Sequence, residues 1–333
     1  AFGPLLAGFL TETFGWRSIF LSTTTVSILA LVFGAPRMCE SRDPNATGLD
    51  WPGTLSFTGT LSLFTFGVIQ APASGWANPL VILLLASSAV LFAAFVVLES
   101  RVSRPMLDLS LFRYPRFVGV QVLPIATCYC YIVLLVLLPL RFIGMEGHSE
   151  IDAGLLMLSL SAPMLVIPSL AATLTRRVPA GIISGIGLLI AAAGLAWLSR
   201  INLGGSGHAA VLPMLLIGSG ASMPWGLMDG LSVSVVPKER AGMATGIFNT
   251  TRVAGEGVAL AIVSAILAAL SQSSLSELLP HANPALSARI AGAAERIATG
   301  DLAHAAALLP EISRPLLSQS YSDAFQDLSL IHI

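Results

Sequence analysis

Apolar positions in this chain come in long unbroken runs, neither at the three-to-four-residue spacing of a water-facing helix nor in the alternation of a half-buried strand. The runs cover about Ser18–Gly34, Gly53–Gln70, Pro79–Leu98, Phe117–Leu140, Ala153–Leu174, Ala180–Leu198, Ala209–Val235 and Gly242–Leu270. Most approach the roughly 20 residues that a helix needs to cross a bilayer, and each is too long for a strand. In lipid the backbone must satisfy its own hydrogen bonds, so the pattern predicts helical spans joined by short polar loops. Residues 271–320 break the pattern and read as an Ala-rich polar loop of helical character.

Composition removes the water-soluble alternative. Of the 333 residues, 55% are hydrophobic and 11% charged, where a soluble domain carries about 25% charged residues. The mean hydropathy is +0.82. The charges sit in loops, and their distribution orients the chain. Placing the loop after Gly34 in the cytoplasm puts Arg37, Arg42, Arg101, Arg104, Arg113, Arg116, Arg176, Arg177, Lys238 and Arg240 on that side. Arg17, Arg141 and Arg200 fall on the other. Ten against three is the positive-inside bias, and long segments such as 271–320 count little in it. No basic face of the kind nucleic acid needs is present, so nucleic acid is not a partner.

The inventory of reactive groups is thin. His148, His208, His281, His304 and His332 all fall in outer loops or the tail, without metal-ligand spacing. Cys39 lies in a cytoplasmic loop. Cys128 and Cys130 are two apart in a span, about 200° around a helix, so they cannot share a metal and read as small apolar residues. No nucleotide-binding glycine loop is found, and neither cofactor nor metal is expected. Small residues four apart (Gly181 and Gly185, Gly242 and Gly246, Gly218 and Ser222) predict close helix packing. Pro124, Pro163, Pro168, Pro213 and Pro224 predict kinks.

Four stretches carry a resemblance. "GPLLAGFLTETFGWRSIF" is similar to the Gly-Pro motif at the outer end of the fifth helix in antiporters of the major facilitator superfamily, matched by Gly3, Pro4, Gly8, Gly15, Trp16, Arg17 and Phe20. Ala7 stands where a second Gly is preferred. A Gly-Pro pair bends a helix and Gly8 lets another backbone approach, which suits a sliding contact between two helical bundles. "ESRVSRPMLDLSLFRYPRF" resembles the cytoplasmic connector before the C-terminal half of the fourteen-span drug/proton antiporters. "VPKERAGMATGIFNTTRVAG" resembles their Asn-x-x-Arg-x-x-Gly run, matched by Asn249, Arg252 and Gly255. "LPLRFIGMEGHSEIDAGLLML" is similar to an outer turn of the same branch, with Arg141 and Ile143 where an aromatic and a Gln are usual.

This resemblance implies an all-α polytopic membrane protein of the major facilitator fold, two six-helix bundles with two extra spans, truncated at both ends. Residues 1–34 would be the end of the N-terminal bundle (helices five and six). Residues 35–116 would be the two inserted spans and connector, and 117–327 the C-terminal bundle without its last span, which would begin near Ala324 and Phe325. Helices one to four and fourteen would be missing. Leu328–Ile333, "LSLIHI", coincides with an in-frame translation of a transposon-end sequencing adaptor and is set aside.

Within the spans the ionisable residues singled out are Asp229, Arg252 and Glu256, and a charge at mid-bilayer costs about 2.5–3.5 kcal/mol on insertion scales. Asp229 lies eight residues before Pro237, about 12 Å from the cytoplasmic edge, and Arg252 ten after Gly242, about 15 Å in. Arg252 and Glu256 are one turn apart on one face. Glu256 replaces a small residue of the family pattern and Asp229 has no counterpart in it. With Asn249 they form a candidate cavity or coupling cluster, the alternative being a structural ion-pair cluster inside the bundle. The resemblance implies proton-coupled export of small amphipathic organic compounds across the cell (inner) membrane by alternating access, with lipid, substrate and protons as partners. A dedicated exporter of a self-made metabolite, siderophore or lipid is the alternative, and a non-transporting membrane scaffold a further one. Enzymatic activity is not expected, and a periplasmic adaptor is left open.

Overall fold

The computed structural model describes residues 2–37, 50–102, 107, 109–201, 207–237, 240–279 and 283–332. Cys39, Arg42, Arg104, Lys238 and His281 lie outside them. Helices account for nearly all of this: α1 (Gly3–Phe14), α2 (Arg17–Gly34), α3 (Trp51–Ser74), α4 (Pro79–Arg101), α5 (Pro115–Met145), α6 (Glu150–Leu174), α7 (Ala180–Leu198), α8 (Val211–Ser234), α9 (Ala241–Leu278), α10 (Pro284–Ala298), α11 (Leu302–Leu308) and α12 (Arg314–His332). Eight described segments are long and apolar enough to cross a membrane, and they coincide with the eight apolar runs to within a few residues at most ends. The chain is an all-α polytopic membrane protein.

Local chemistry sets the ends. Asp50 Oδ1 accepts from the Gly53 N–H at 2.9 Å and Asn78 Oδ1 from the Leu80 N–H at 2.8 Å, and a proline opens the first turn of both α3 and α4. These side chains satisfy donors that a helix start leaves orphaned. α1 and α3 stop at Gly15 and Gly75, whose φ of 78° and 88° most other residues reach only with strain.

Two of the proline-bearing spans are irregular near the predicted kinks, whereas α8 stays α-helical through Pro213 and Pro224. α5 contains Pro124 and widens into π-helical turns over Cys128–Ile132 and Leu140–Met145. In α6, Ala162–Leu165 tightens to a 3-10 turn around Pro163. A proline deletes an i→i−4 bond, and the altered turns re-satisfy the freed carbonyls. Cys128 and Cys130 are both buried, because neighbouring helices enclose α5 on more than one side.

The largest core joins α5 to α12, with Leu134, Leu138, Met157, Leu160, Met214, Ile217 and Leu267 at its centre. α3 and α4 form a hairpin, locked by the Ser88 hydroxyl donating to the Thr60 carbonyl at 2.9 Å, and lean on α9. α2 has no buried residue. Its exposed Phe20, Leu21, Val26 and Leu31 are what a lipid-facing helix presents.

Two expectations change. Gly181, Gly185, Gly242 and Gly246 have nothing within 4 Å of an added methyl group, so they are not packing points. Of the predicted pairs, Gly218 with Ser222 is packed, Gly218 against Leu160, and further close contacts fall at Gly187 against Gly220 and Gly194 against Ile217. Which face of a span meets a neighbour is a tertiary fact, and glycine spacing alone does not encode it. Residues 271–320 are also more than a polar loop. α9 runs on to Leu278, and α10 drives Ile290, Ala293, Ala294 and Ile297 into the main core. That three-and-four spacing is an amphipathic stripe, too dilute to register as an apolar run. α12 begins at Arg314, ahead of the expected Ala324, and buries Leu317, Tyr321, Ala324 and Phe325.

Candidate functional site

α1 meets the rest of the molecule chiefly through α6, and glycines on both helices set the closeness. A methyl group at Gly8 would overlap the Glu150 carbonyl oxygen and stand 2.9 Å from its carbon. One at Gly154 would stand 3.0 Å from Leu5 Cα and from the Pro4 carbonyl oxygen. Backbone therefore lies on backbone. Gly3 is not part of this: nothing lies within 4 Å of its would-be methyl. Of the three motif residues, Pro4 and Gly8 form the contact and Gly3 does not.

One residue that the sequence reading passed over completes it. Glu12 Oε2 accepts the backbone N–H of Ile151 at 3.0 Å, while Ser149 caps the same helix through the Asp152 N–H at 3.1 Å. A carboxylate at a helix N-terminus satisfies an orphan donor and complements the helix dipole. The signal was present: Glu12 is four residues past Gly8, on one helix face.

The second cluster lies between α8 and α9. Arg252 Nη2 donates to Asn249 Oδ1 at 2.9 Å, and Nη1 lies 3.5 Å from Asp229 Oδ1. The guanidinium also stands 5.9 Å from the centre of the Phe248 ring. Asp229, Arg252 and Asn249 come together as their matched depths suggested. Glu256 does not join them: it makes no hydrogen bond or ion pair among the described residues and stands near Cys128. The Asp229 side chain is 67% exposed and that of Arg252 26%. Among the described residues the pair is a single 3.5 Å contact whose carboxylate is largely uncovered.

A sealed one exists elsewhere. Arg141 Nε donates to Glu146 Oε1 at 2.8 Å and Nη2 to the Ile201 carbonyl at 3.3 Å, with the guanidinium 5.0 Å from the Phe325 ring centre. The Arg141 side chain is 4% exposed and Glu146 9%, and His148 Nε2 stands 3.4 Å from the second Glu146 oxygen. Arg141 thus pins the end of α5 to α12. The substitution that departs from the family pattern has a packing partner in Phe325, which could not be paired with it along the sequence.

The chain has relatives of known name. The Multidrug resistance protein Stp of Mycobacterium tuberculosis is 32% identical over 284 residues, which cover 85% of this chain and 52% of the relative. The Tetracenomycin C resistance and export protein of Streptomyces glaucescens is 27% identical over 329 residues, 98% of this chain and 61% of the relative. The Drug efflux pump JefA of Mycobacterium tuberculosis is 28% identical over 270 residues, 81% of this chain and 53% of the relative. The chain thus spans between half and three-fifths of the length of these relatives. Residues 1–260 match the family model described as Major Facilitator Superfamily. With that match over most of its length, and with eight helices able to cross a membrane among the described residues, the chain belongs to the Major Facilitator Superfamily.

Proposed function

We propose that this chain is part of an exporter that moves small amphipathic, drug-like compounds out across the cell (inner) membrane, coupled to proton entry, by alternating access between two helical bundles. In this reading α1 and α2 belong to one bundle, α5 to α12 to the other, and α3 and α4 are inserted spans. The loop after Gly34 faces the cytoplasm. The observation that carries the reading is the Asp229–Arg252–Asn249 cluster: a carboxylate 3.5 Å from a guanidinium, at membrane depth, on a face that no other described element closes. A pair that open is held loosely. A single 3.5 Å contact leaves most of the carboxylate's hydrogen-bonding capacity free, so a proton or a cationic substrate can compete for it. The close α1–α6 contact, backbone on backbone at Gly8 and Gly154, is where the two bundles would part and rejoin in alternating access. The names of the relatives, which concern drug efflux and resistance, support the substrate class.

A second reading, a dedicated exporter of a metabolite made by the same cell, is favoured by two relatives each named for one compound, the Streptomyces protein above and the Cephamycin export protein CmcT of Amycolatopsis lactamdurans. Competition between compounds separates the two, since a dedicated exporter moves one scaffold and not unrelated dyes.

The test uses the full-length protein reconstituted in vesicles with an imposed proton gradient. Asp229→Asn is expected to lower dye export per folded molecule while leaving folded yield unchanged, because the carboxylate is not buried. Reduced yield that Arg252→Gln restores in the double variant, with export per molecule unchanged, would assign the cluster a structural role and defeat the proposal.

A further inference from the structure

α3 and α9 touch at two levels and part between them. Toward one end Phe57 and Phe95 pack with Ala244 and Ile247, and toward the other Val68 packs with Ala261 and Ala265. Between these contacts lies an open cleft of about 450 Å³, lined by Phe57, Thr58, Leu61, Ser62, Asn249, Thr250, Val253 and Ala254. Thr58 is seven residues past Trp51 and Asn249 eight past Ala241, so the cleft sits about 10–12 Å into the membrane from the ends where both helices begin.

The polar groups in the cleft are unusual in having nothing to do. Hydroxyls in apolar helices ordinarily bond the carbonyl one turn back. Ser56 and Thr60 of α3 do this at 2.7 and 2.8 Å, and Thr245 of α9 at 2.9 Å. Thr58, Ser62 and Thr250 make no hydrogen bond among the described residues. The Asn249 oxygen is taken by Arg252, and its amide nitrogen is unbonded among the described residues. Three hydroxyls and an amide therefore face a space whose other walls are Phe57, Leu61, Val253 and Ala254. No charged side chain lines it, and the one cation nearby is held by Asp229 and Asn249.

We propose that this cleft is a lateral binding site in which α3 and α9 take up a neutral amphipathic organic molecule, with hydrogen-bonding groups along one edge, from the membrane beside the Arg252 cluster. The inference rests on the reading that the protein exports such compounds, and gives the inserted hairpin a part in it. The volume suits a drug-sized ligand. A net charge on the ligand would find no counter-charge, which selects neutral compounds. A lipid acyl chain would leave all four polar groups unpaired, which disfavours it as the occupant.

The test is equilibrium binding of Nile red, a neutral amphipathic dye with hydrogen-bond acceptors, to the full-length protein in lipid nanodiscs. Tryptophan-to-dye energy transfer is read above a protein-free background. Removing the hydroxyls at nearly constant volume (Thr58→Val, Ser62→Ala and Thr250→Val together) is expected to weaken the saturable component about tenfold or more, the loss that three hydrogen bonds imply. Ala254→Phe, which fills the cleft, should abolish it, and Thr23→Val with Thr25→Val on α2 should leave it unchanged. Unaltered binding in both the triple variant and Ala254→Phe overturns the site. Loss in Ala254→Phe alone, with the triple variant binding as the parent does, overturns the hydrogen-bonding ligand in favour of an apolar chain. No gradient is needed, so an export failure that leaves dye binding intact counts against the transport reading only.

Discussion

Gly8→Ala puts a methyl group onto the backbone of α6. It would overlap the Glu150 carbonyl oxygen, stand 2.9 Å from the Glu150 carbon and 3.4 Å from the Ile151 nitrogen. Non-bonded carbons prefer about 3.5–4.0 Å, and backbone cannot swing aside as the end of a side chain can, so the helices must separate locally by about 1 Å. Overpacking of this kind costs about 1–3 kcal/mol, an approximately 5- to 150-fold shift in the ratio of joined to parted helices. The same movement stretches the 3.0 Å bond from the Ile151 N–H to Glu12 and withdraws that support. Gly3→Ala meets nothing within 4 Å and is the internal control. Spin labels at Phe14 and Leu155, both exposed, report the α1–α6 distance by pulsed electron resonance in lipid nanodiscs. Gly8→Ala should move population from the joined to a longer distance, while Gly3→Ala should reproduce the parent distribution. An unchanged Gly8→Ala distribution, or an equal shift from Gly3→Ala, would refute the assignment of the contact to Gly8.

Two further outcomes are expected. Arg141→Leu leaves Glu146, itself 9% exposed, with only His148 at 3.4 Å, which should cost up to about 3–5 kcal/mol and lower the thermal midpoint. Adding Glu146→Gln should recover part of the loss, and a single variant as stable as the parent would contradict a sealed pair. Asp301 caps α11, its oxygens meeting the His304 backbone N–H at 3.2 Å and ring Nδ1 at 2.8 Å, with Arg296 at 3.5 Å. The hydrogen bond to His304, first, holds its carboxyl below the ordinary value. A lowered folded pKa means that the cap's contribution is present above the ordinary carboxylate value, about 3.9, and is lost as pH falls through the depressed one. Amide exchange at His304 and Ala305, corrected for intrinsic rates, should therefore speed up below about pH 4, and Asp301→Asn should flatten that dependence. Equal slopes in parent and variant would rule out the carboxylate as its source.

The amino-acid sequence by itself determined the number and placement of the spans. Crossing a bilayer demands about 20 apolar residues with internally satisfied backbone, a local condition that eight runs meet. It also brought Asp229 and Arg252 to one level, because helical rise converts residue counts into depth. Tertiary structure decided the rest. Gly3 and Gly8 share a motif, yet Gly8 alone touches α6, since the rotation of α1 is set by what it packs on. Glu256 follows Arg252 by one turn but stands apart from Asp229, because the crossing of α8 and α9 chooses which of two adjacent positions meets the carboxylate. Arg141 and Phe325 are far apart in sequence and meet only because α12 folds back over the end of α5. Rise along a helix is local and legible, whereas the azimuth of one helix against another is a property of the packed assembly.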